Sequence, residues 1–281
     1  MPVFDVVYAG ADVELSPAGL GLGLRFPRES IRLRLSGFTP AAVMVSTAAL
    51  YWFVLVPYVF PRLRPHDADG AYARALKRWR SRHNLALFLY SGACCSATAA
   101  ALVSSRRLFS WTALLCEPVA GTWLRPLSVT FVISKLWEWG DTFFLVTLGS
   151  RPPEFLHKYH HATTFWLFCL VINLPGPEKF GLLLNGGVHT LMYAHYWRPF
   201  PKPLVPLITA LQIAQLTTVT YAWYASPRVC PAASFADAPR AHRLEVLTPY
   251  VMVPVYLFFF VVFFVKRFLI PQKKRASAKR D

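Results

Sequence analysis

Apolar residues in this chain collect into seven stretches, at 40–60, 84–103, 126–148, 156–174, 179–197, 203–225 and 246–270. Shorter segments between them hold most of the charge. About 20 mostly apolar residues in helical form cross the hydrocarbon of a bilayer. Inside lipid each backbone N–H and C=O must be satisfied within its own segment, which a helix achieves and an open strand does not. The pattern predicts an all-α, polytopic membrane protein with about seven transmembrane helices. The fourth and fifth stretches are more polar than lipid-facing helices are, so each is expected to turn one face inward. Two connections are long, 63–82 and 224–245, and neither an internal repeat nor a second soluble domain is visible. The chain divides into an arm at 1–39, a seven-helix domain at 40–270 and a basic tail at 271–281.

Composition supports a membrane setting. Only 16% of the 281 residues are charged, against about 25% in a soluble domain. The net charge of +16 would suggest nucleic acid in a soluble protein. Here the cations flank apolar stretches and no basic stripe interleaves with aromatics, so the expected partner is a lipid bilayer and not nucleic acid. With the N-terminus placed outside the cytosol, the cytosolic segments carry 18 Lys and Arg against 11 on the opposite side. That bias sets the orientation, although Arg25, Arg28, Arg32 and Arg34 run against it. The first 35 residues lack the compact apolar core of a signal peptide, so the first apolar stretch is expected to stay as an anchor. The five cysteines show no CxxC spacing, and no metal site is expected from them.

Ionisable residues inside membrane stretches are costly and mark candidate sites. Four groups stand out. Lys135, Glu138, Asp141 and Thr142 share a face at i, i+3, i+6 and i+7; the plainer reading of the first two is an ion pair that orients helices. His157, His160 and His161 share a face at i, i+3 and i+4, where imidazoles can bind metal, relay protons or act as nucleophiles. Asn185, His189, Met192 and Tyr196 keep helical spacing in a segment that also holds Tyr193 and His195. Thr209, Gln212 and Gln215 form a polar stripe, for which interhelical hydrogen bonding is the alternative. Four consecutive helices each offer a polar face, and the economical reading is that these faces converge on one enclosed site.

These groups resemble, in order, the KxxExxDT, HxxHH, HxxMYxYY and TxxQxxQ boxes of the ELO family of very-long-chain fatty acid elongases. The boxes span about residues 130–220, and the helix layout extends the similarity over most of the chain. One departure is His195, where the family more commonly has Tyr. The resemblance implies an acyltransferase of the endoplasmic reticulum membrane, with the N-terminus lumenal and the C-terminus cytosolic. Its reaction condenses an acyl-CoA with malonyl-CoA to a 3-ketoacyl-CoA two carbons longer, releasing CO2 and CoA, with no cofactor beyond these substrates. It further implies six helices around an acyl tunnel, with the first helix outside, and partner enzymes that reduce and dehydrate the product. A homo-oligomer is left open.

The expected mechanism places the acyl group on His160 as an acyl-imidazole. His189 polarises the malonyl thioester or handles a proton, His157 and His161 orient their neighbours, and Asp141 holds one imidazole in its tautomer. Lys135 either pairs with Glu138 or faces CoA. Glu138, Asn185, Tyr193, Gln212 and Gln215 are candidate substrate contacts. Arg151 and Lys158, with Arg198 and Lys202, are candidate partners of CoA phosphates, positive-inside topology being the alternative. Cys116 and Cys230 are a candidate disulfide on the lumenal side. Trp223 and Tyr224 are placed near the lumenal end of the tunnel. The competing readings are a membrane di-iron desaturase or hydroxylase, and a seven-helix receptor or transporter. Against the first, His66, His83 and His242 are expected to lie away from the cluster.

Overall fold

The computed structural model describes residues 5–9, 21–26, 29–34, 40–116, 124–149, 152–171, 177–229 and 243–270. In the arm, three short strands form an antiparallel sheet: β1 (Asp5–Ala9), β2 (Gly21–Phe26) and β3 (Glu29–Arg34), in the order β1-β3-β2. Ile31 of β3 lies opposite Tyr8 on one side and Leu24 on the other. The sequence reading assigned no strands to the arm. Alternation of apolar and charged residues in Ser30–Arg34, with Ile31 and Leu33 between Ser30, Arg32 and Arg34, is the period-2 signal.

From residue 40 onward the described fold is helical, as expected. Helix α1 covers 40–62 and widens into a π-helical stretch over Leu50–Val59, which contains Pro57. Proline removes one N–H and crowds the carbonyl four residues back, and a widened turn accommodates both. Helix α2 (Ala71–Ser104) is followed by the short α3 (Trp111–Cys116). Helices α4 (Leu124–Trp137) and α5 (Trp139–Leu148) meet at Glu138. Helix α6 is Phe155–Val171. Helix α7 covers 177–197, with a π-helical turn at Gly181–Asn185 just ahead of His189. Helices α8 (Val205–Val229) and α9 (Arg243–Phe264, extended by a π-helical turn at Val265–Leu269) complete the domain.

Each of the seven apolar stretches is thus helical over its described residues, and the protein is a multi-pass membrane protein. Two boundaries differ from expectation. Helix α2 begins at Ala71, so residues 71–82 form a cation-bearing helical extension of the second span, and only 63–70 are loop. The third stretch is interrupted at Glu138. Among the described residues, Ala71–Ser104, Lys202–Ala225 and Thr248–Leu269 are long and apolar enough to cross a membrane by length and composition alone.

Packing is distributed over several small clusters. Leu167 and Val171 of α6 meet Leu216 and Trp223 of α8 and Val253 and Tyr256 of α9. Tyr51 and Val56 of α1 pack on Val146 of α5 and Ala162 of α6. Helices α2 and α7 come close because residue 186 has no side chain: a Cβ there would stand 3.2 Å from the Ser91 carbonyl oxygen. This approach sets Ser91 and Cys95 of α2 directly against α7 at Gly186, one turn ahead of His189.

Candidate active site

A cavity of about 660 Å³ lies among α5 to α9, within the range of ligand pockets at about 300–1,000 Å³. All four sequence groups reach it. Its polar wall includes Glu138, Asp141, His157, His160, His161, Asn185, His189, Tyr193, Gln212 and Gln215. Its apolar wall comes chiefly from α8 and α9, through Ile208, Leu216, Phe260, Phe263 and Phe268. Pro152, Glu154, His195, Val205 and Arg267 lie where the α5–α6 and α7–α8 connections and the end of α9 meet the cavity. None of the lining residues belongs to α1 or α2.

Lys135 is 1% exposed and is absent from the cavity wall. Its ammonium donates to Glu138 Oε1 at 2.6 Å and to Asn185 Oδ1 at 2.9 Å, and it lies 4.3 Å from the Phe131 ring centroid. The i, i+3 spacing puts the carboxylate one turn beyond Lys135, within reach of its ammonium. The same Glu138 Oε1 is 3.3 Å from His189 Nδ1, close but out of hydrogen-bond alignment. Glu138 Oε2, His161 Nδ1 and His189 Nδ1 are buried and have no hydrogen-bond partner among the described residues. Buried polar atoms are nearly always paired, so a wall with three unpaired ones is suited to a polar ligand.

The imidazoles of α6 have distinct surroundings. His157 Nε2 is 2.9 Å from Thr142 Oγ1, which is 2.6 Å from the hydroxyl of Tyr51 on α1. The His157 and His161 ring centroids are 4.3 Å apart. The indole N–H of Trp139 donates to the His161 carbonyl at 2.7 Å and ties α5 to α6. His160 lies between His161 and the rings of Tyr256 and Phe260. No described residue hydrogen-bonds its ring nitrogens.

The imidazole that Asp141 binds is His83 of α2, whose Nε2 is 2.7 Å from Asp141 Oδ1. The second carboxylate oxygen accepts the Tyr193 hydroxyl at 2.6 Å. His83 therefore belongs to the site, although the sequence reading set it apart. Its signal was a stripe of positions along the second stretch: Leu76, His83, Leu87, Ser91, Cys94, Thr98 and Leu102 recur at helical spacing and are all buried. Tyr51 and Arg267 were also missed.

Gln212 contacts the Met192 sulfur at 3.7 Å, and Gln215 lines the cavity without a bond among the described residues. Lys158 lies over the Trp52 ring at 4.8 Å and does not line the cavity. Trp223 is buried in the α6–α8–α9 cluster, whereas Tyr224 is exposed. His195 Nδ1 accepts the Phe200 N–H at 2.9 Å where the chain leaves α7. Arg151 and Cys230 lie outside the described residues, as does the side chain of Cys116, so the disulfide does too.

Fold and site together define a multi-pass helical membrane protein with a histidine-rich cavity inside its helices. Residues 38–276 match the ELO (GNS1/SUR4) family, and the chain belongs to that family. It is 27% identical over 237 residues to fatty acid elongase 1 of Trypanosoma brucei brucei, covering 79% of this chain and 70% of that protein. It is 38% identical over 110 residues to very long chain fatty acid elongase 3 of Homo sapiens, covering 34% of this chain and 40% of that one. It is 33% identical over 146 residues to very long chain fatty acid elongase 6 of Drosophila melanogaster, covering 47% and 44%. The human and fly alignments each span less than half of those proteins.

Proposed function

We propose that the protein elongates fatty acids as a very-long-chain 3-oxoacyl-CoA synthase, condensing a long-chain acyl-CoA with malonyl-CoA. The observation that carries this reading is one cavity of about 660 Å³ whose wall joins His160 and His189, from different helices, to an apolar lining of Ile208, Leu216, Phe260 and Phe263. No cysteine lines that cavity among the described residues, so imidazole is the available nucleophile. A ring nitrogen of His160 attacks the acyl carbonyl, and the carbon–sulfur bond breaks. CoA leaves as a thiolate that takes the imidazole proton. Malonyl-CoA then loses its carboxylate as CO2, and the electron pair of the broken carbon–carbon bond becomes a thioester enolate. The enolate attacks the acyl-imidazole carbonyl, forming the new carbon–carbon bond and breaking the carbon–nitrogen bond to His160, whose ring nitrogen takes back one proton from water. His189 faces the same space and stabilises the enolate oxygen. Lys135, behind the wall, holds Glu138 and Asn185 in place through its ammonium, and both of these face the cavity with His189.

The proposed setting is the endoplasmic reticulum membrane, with the N-terminus lumenal, the C-terminus cytosolic, and reductase and dehydratase partners acting on the product. The cavity meets the 152–154 and 195–205 segments and Arg267, all on the side that the Lys and Arg bias assigns to the cytosol, which favours entry of CoA substrates from there. The test is to incubate the purified protein in detergent with a saturated acyl-CoA series and labelled malonyl-CoA. Malonyl-dependent 3-ketoacyl-CoA that vanishes in His160→Ala is the expected result. Absence of product with every acyl-CoA, from folded protein, removes the reading.

A further inference from the structure

The wall of the cavity rests on a residue that lies in none of the four sequence boxes. His83 of α2 is buried, with its side chain 6% exposed, and Asp141 beside it is 9% exposed. An ionised carboxylate only accepts hydrogen bonds, so His83 donates from Nε2 to Oδ1 at 2.7 Å while the Tyr193 hydroxyl donates to Oδ2 at 2.6 Å. Both carboxylate oxygens are thus engaged, and Asp141 is fixed between α2 and α7. Tyr193 is fully buried, lines the cavity, and packs edge-on against His189 with ring centroids 5.7 Å apart. The line His83–Asp141–Tyr193–His189 crosses three helices and ends on the imidazole that faces the substrate space.

The backbone is shaped for this arrangement. Gly140 lies directly against the His83 ring: a Cβ there would stand 2.6 Å from Cε1 and 3.1 Å from Nδ1. The His83 ring is further enclosed by Phe144 and Trp137. A buried imidazole that only filled space would not need its nitrogen aimed at a carboxylate of the cavity wall.

We propose that His83 is a positioning residue for the condensation step: by anchoring Asp141 it fixes Tyr193, and through Tyr193 the ring of His189. This rests on the condensing-enzyme reading above. His160 lies on α6 among Tyr256, Phe260 and His161, apart from this line. Loss of His83 therefore leaves acylation of His160 intact and slows the attack of the malonyl-derived enolate.

The experiment compares His83→Phe, His83→Gln and His83→Asn with the native protein in detergent, each checked for folding by its melting temperature. A glutamine amide reaches the place of Nε2, whereas an asparagine amide is too short. Two quantities are measured: stoichiometric CoA release with acyl-CoA alone, and 3-ketoacyl-CoA formation with malonyl-CoA. The expected result is native CoA release in all variants. Turnover falls at least tenfold in His83→Phe and His83→Asn, with KM for acyl-CoA within twofold, and His83→Gln recovers most of it. The Gln–Asn comparison decides the matter even where His83→Phe does not fold. Native turnover in His83→Asn, or no recovery in His83→Gln, overturns the assignment, as does an equal loss of CoA release and turnover. A native protein that makes no 3-ketoacyl-CoA overturns the condensing-enzyme reading and this assignment with it.

Discussion

Replacing Lys135 with Met isolates the energetics of the buried pair behind the cavity. The ammonium is 1% exposed and makes two short polar contacts, to Glu138 Oε1 at 2.6 Å and Asn185 Oδ1 at 2.9 Å. Removing it leaves a 2% exposed carboxylate with no Lys or Arg paired to it among the described residues. Breaking a buried pair in this way costs about 3–5 kcal/mol, whereas replacing both partners is often neutral. Met fills most of the vacated volume and keeps contact with Phe131 and Phe168, so the cavity contribution is small and the electrostatic one dominates. At about 2–4 °C per kcal/mol for a domain of this size, Lys135→Met should melt roughly 10 °C below the native protein. The double variant Lys135→Met/Glu138→Gln should recover at least half of that loss, because the uncompensated charge is gone. Tryptophan fluorescence during heating in detergent reads both. A single variant within about 2 °C of native, or a double variant as unstable as the single, refutes the reasoning. The double variant should nevertheless stay poor in turnover, since Glu138 also faces His189.

Two further outcomes follow from the structure. Tyr51→Phe removes the hydroxyl that meets Thr142 at 2.6 Å; it should cost about 1 kcal/mol and lower 3-ketoacyl-CoA formation several-fold by loosening His157, and unchanged turnover counts against the relay. Trp223→Ala removes a large side chain from the cluster that contains Leu216 of the cavity wall. It should cost about 3–5 kcal/mol and lengthen the longest product made from a mixed acyl-CoA series; an unchanged product profile counts against Trp223 as the end of the acyl space.

The residues of the four boxes were legible because helical spacing states which side chains share a face, and polar side chains in an apolar stretch have nowhere to go but inward. His157, His160 and His161 at i, i+3 and i+4 could not all face lipid, and all three line one cavity. Spacing does not say which helix stands opposite a face. Asp141 was expected to hold one imidazole, with no partner named, and the bond it makes goes 58 residues back, to His83. His83 follows Arg78, Arg80 and Arg82 and so reads as the end of a solvated basic run. Only the buried stripe continuing through Leu87, Ser91 and Cys94 marks it as interior.

The same reasoning explains why α1 was misjudged in one respect. Its sequence is almost uniformly apolar, and Val45, Phe53 and Tyr58 are exposed as a lipid-facing surface would be. No residue of α1 lines the cavity. Yet Tyr51, fully buried, reaches Thr142 and through it His157. A tyrosine in a membrane stretch ordinarily signals an interfacial anchor, so nothing in the pattern distinguished Tyr51 from Tyr58. What distinguishes them is the position of Thr142, one residue beyond Asp141 on α5. Adjacent residues on a helix point about 100° apart, so the Asp141–Thr142 pair necessarily addresses two different neighbours. Asp141 takes α2 and α7, and Thr142 takes α1 and α6. A dipeptide of this kind at the centre of a helical domain therefore predicts support from helices outside the cavity wall, and here both supporting side chains, His83 and Tyr51, come from them.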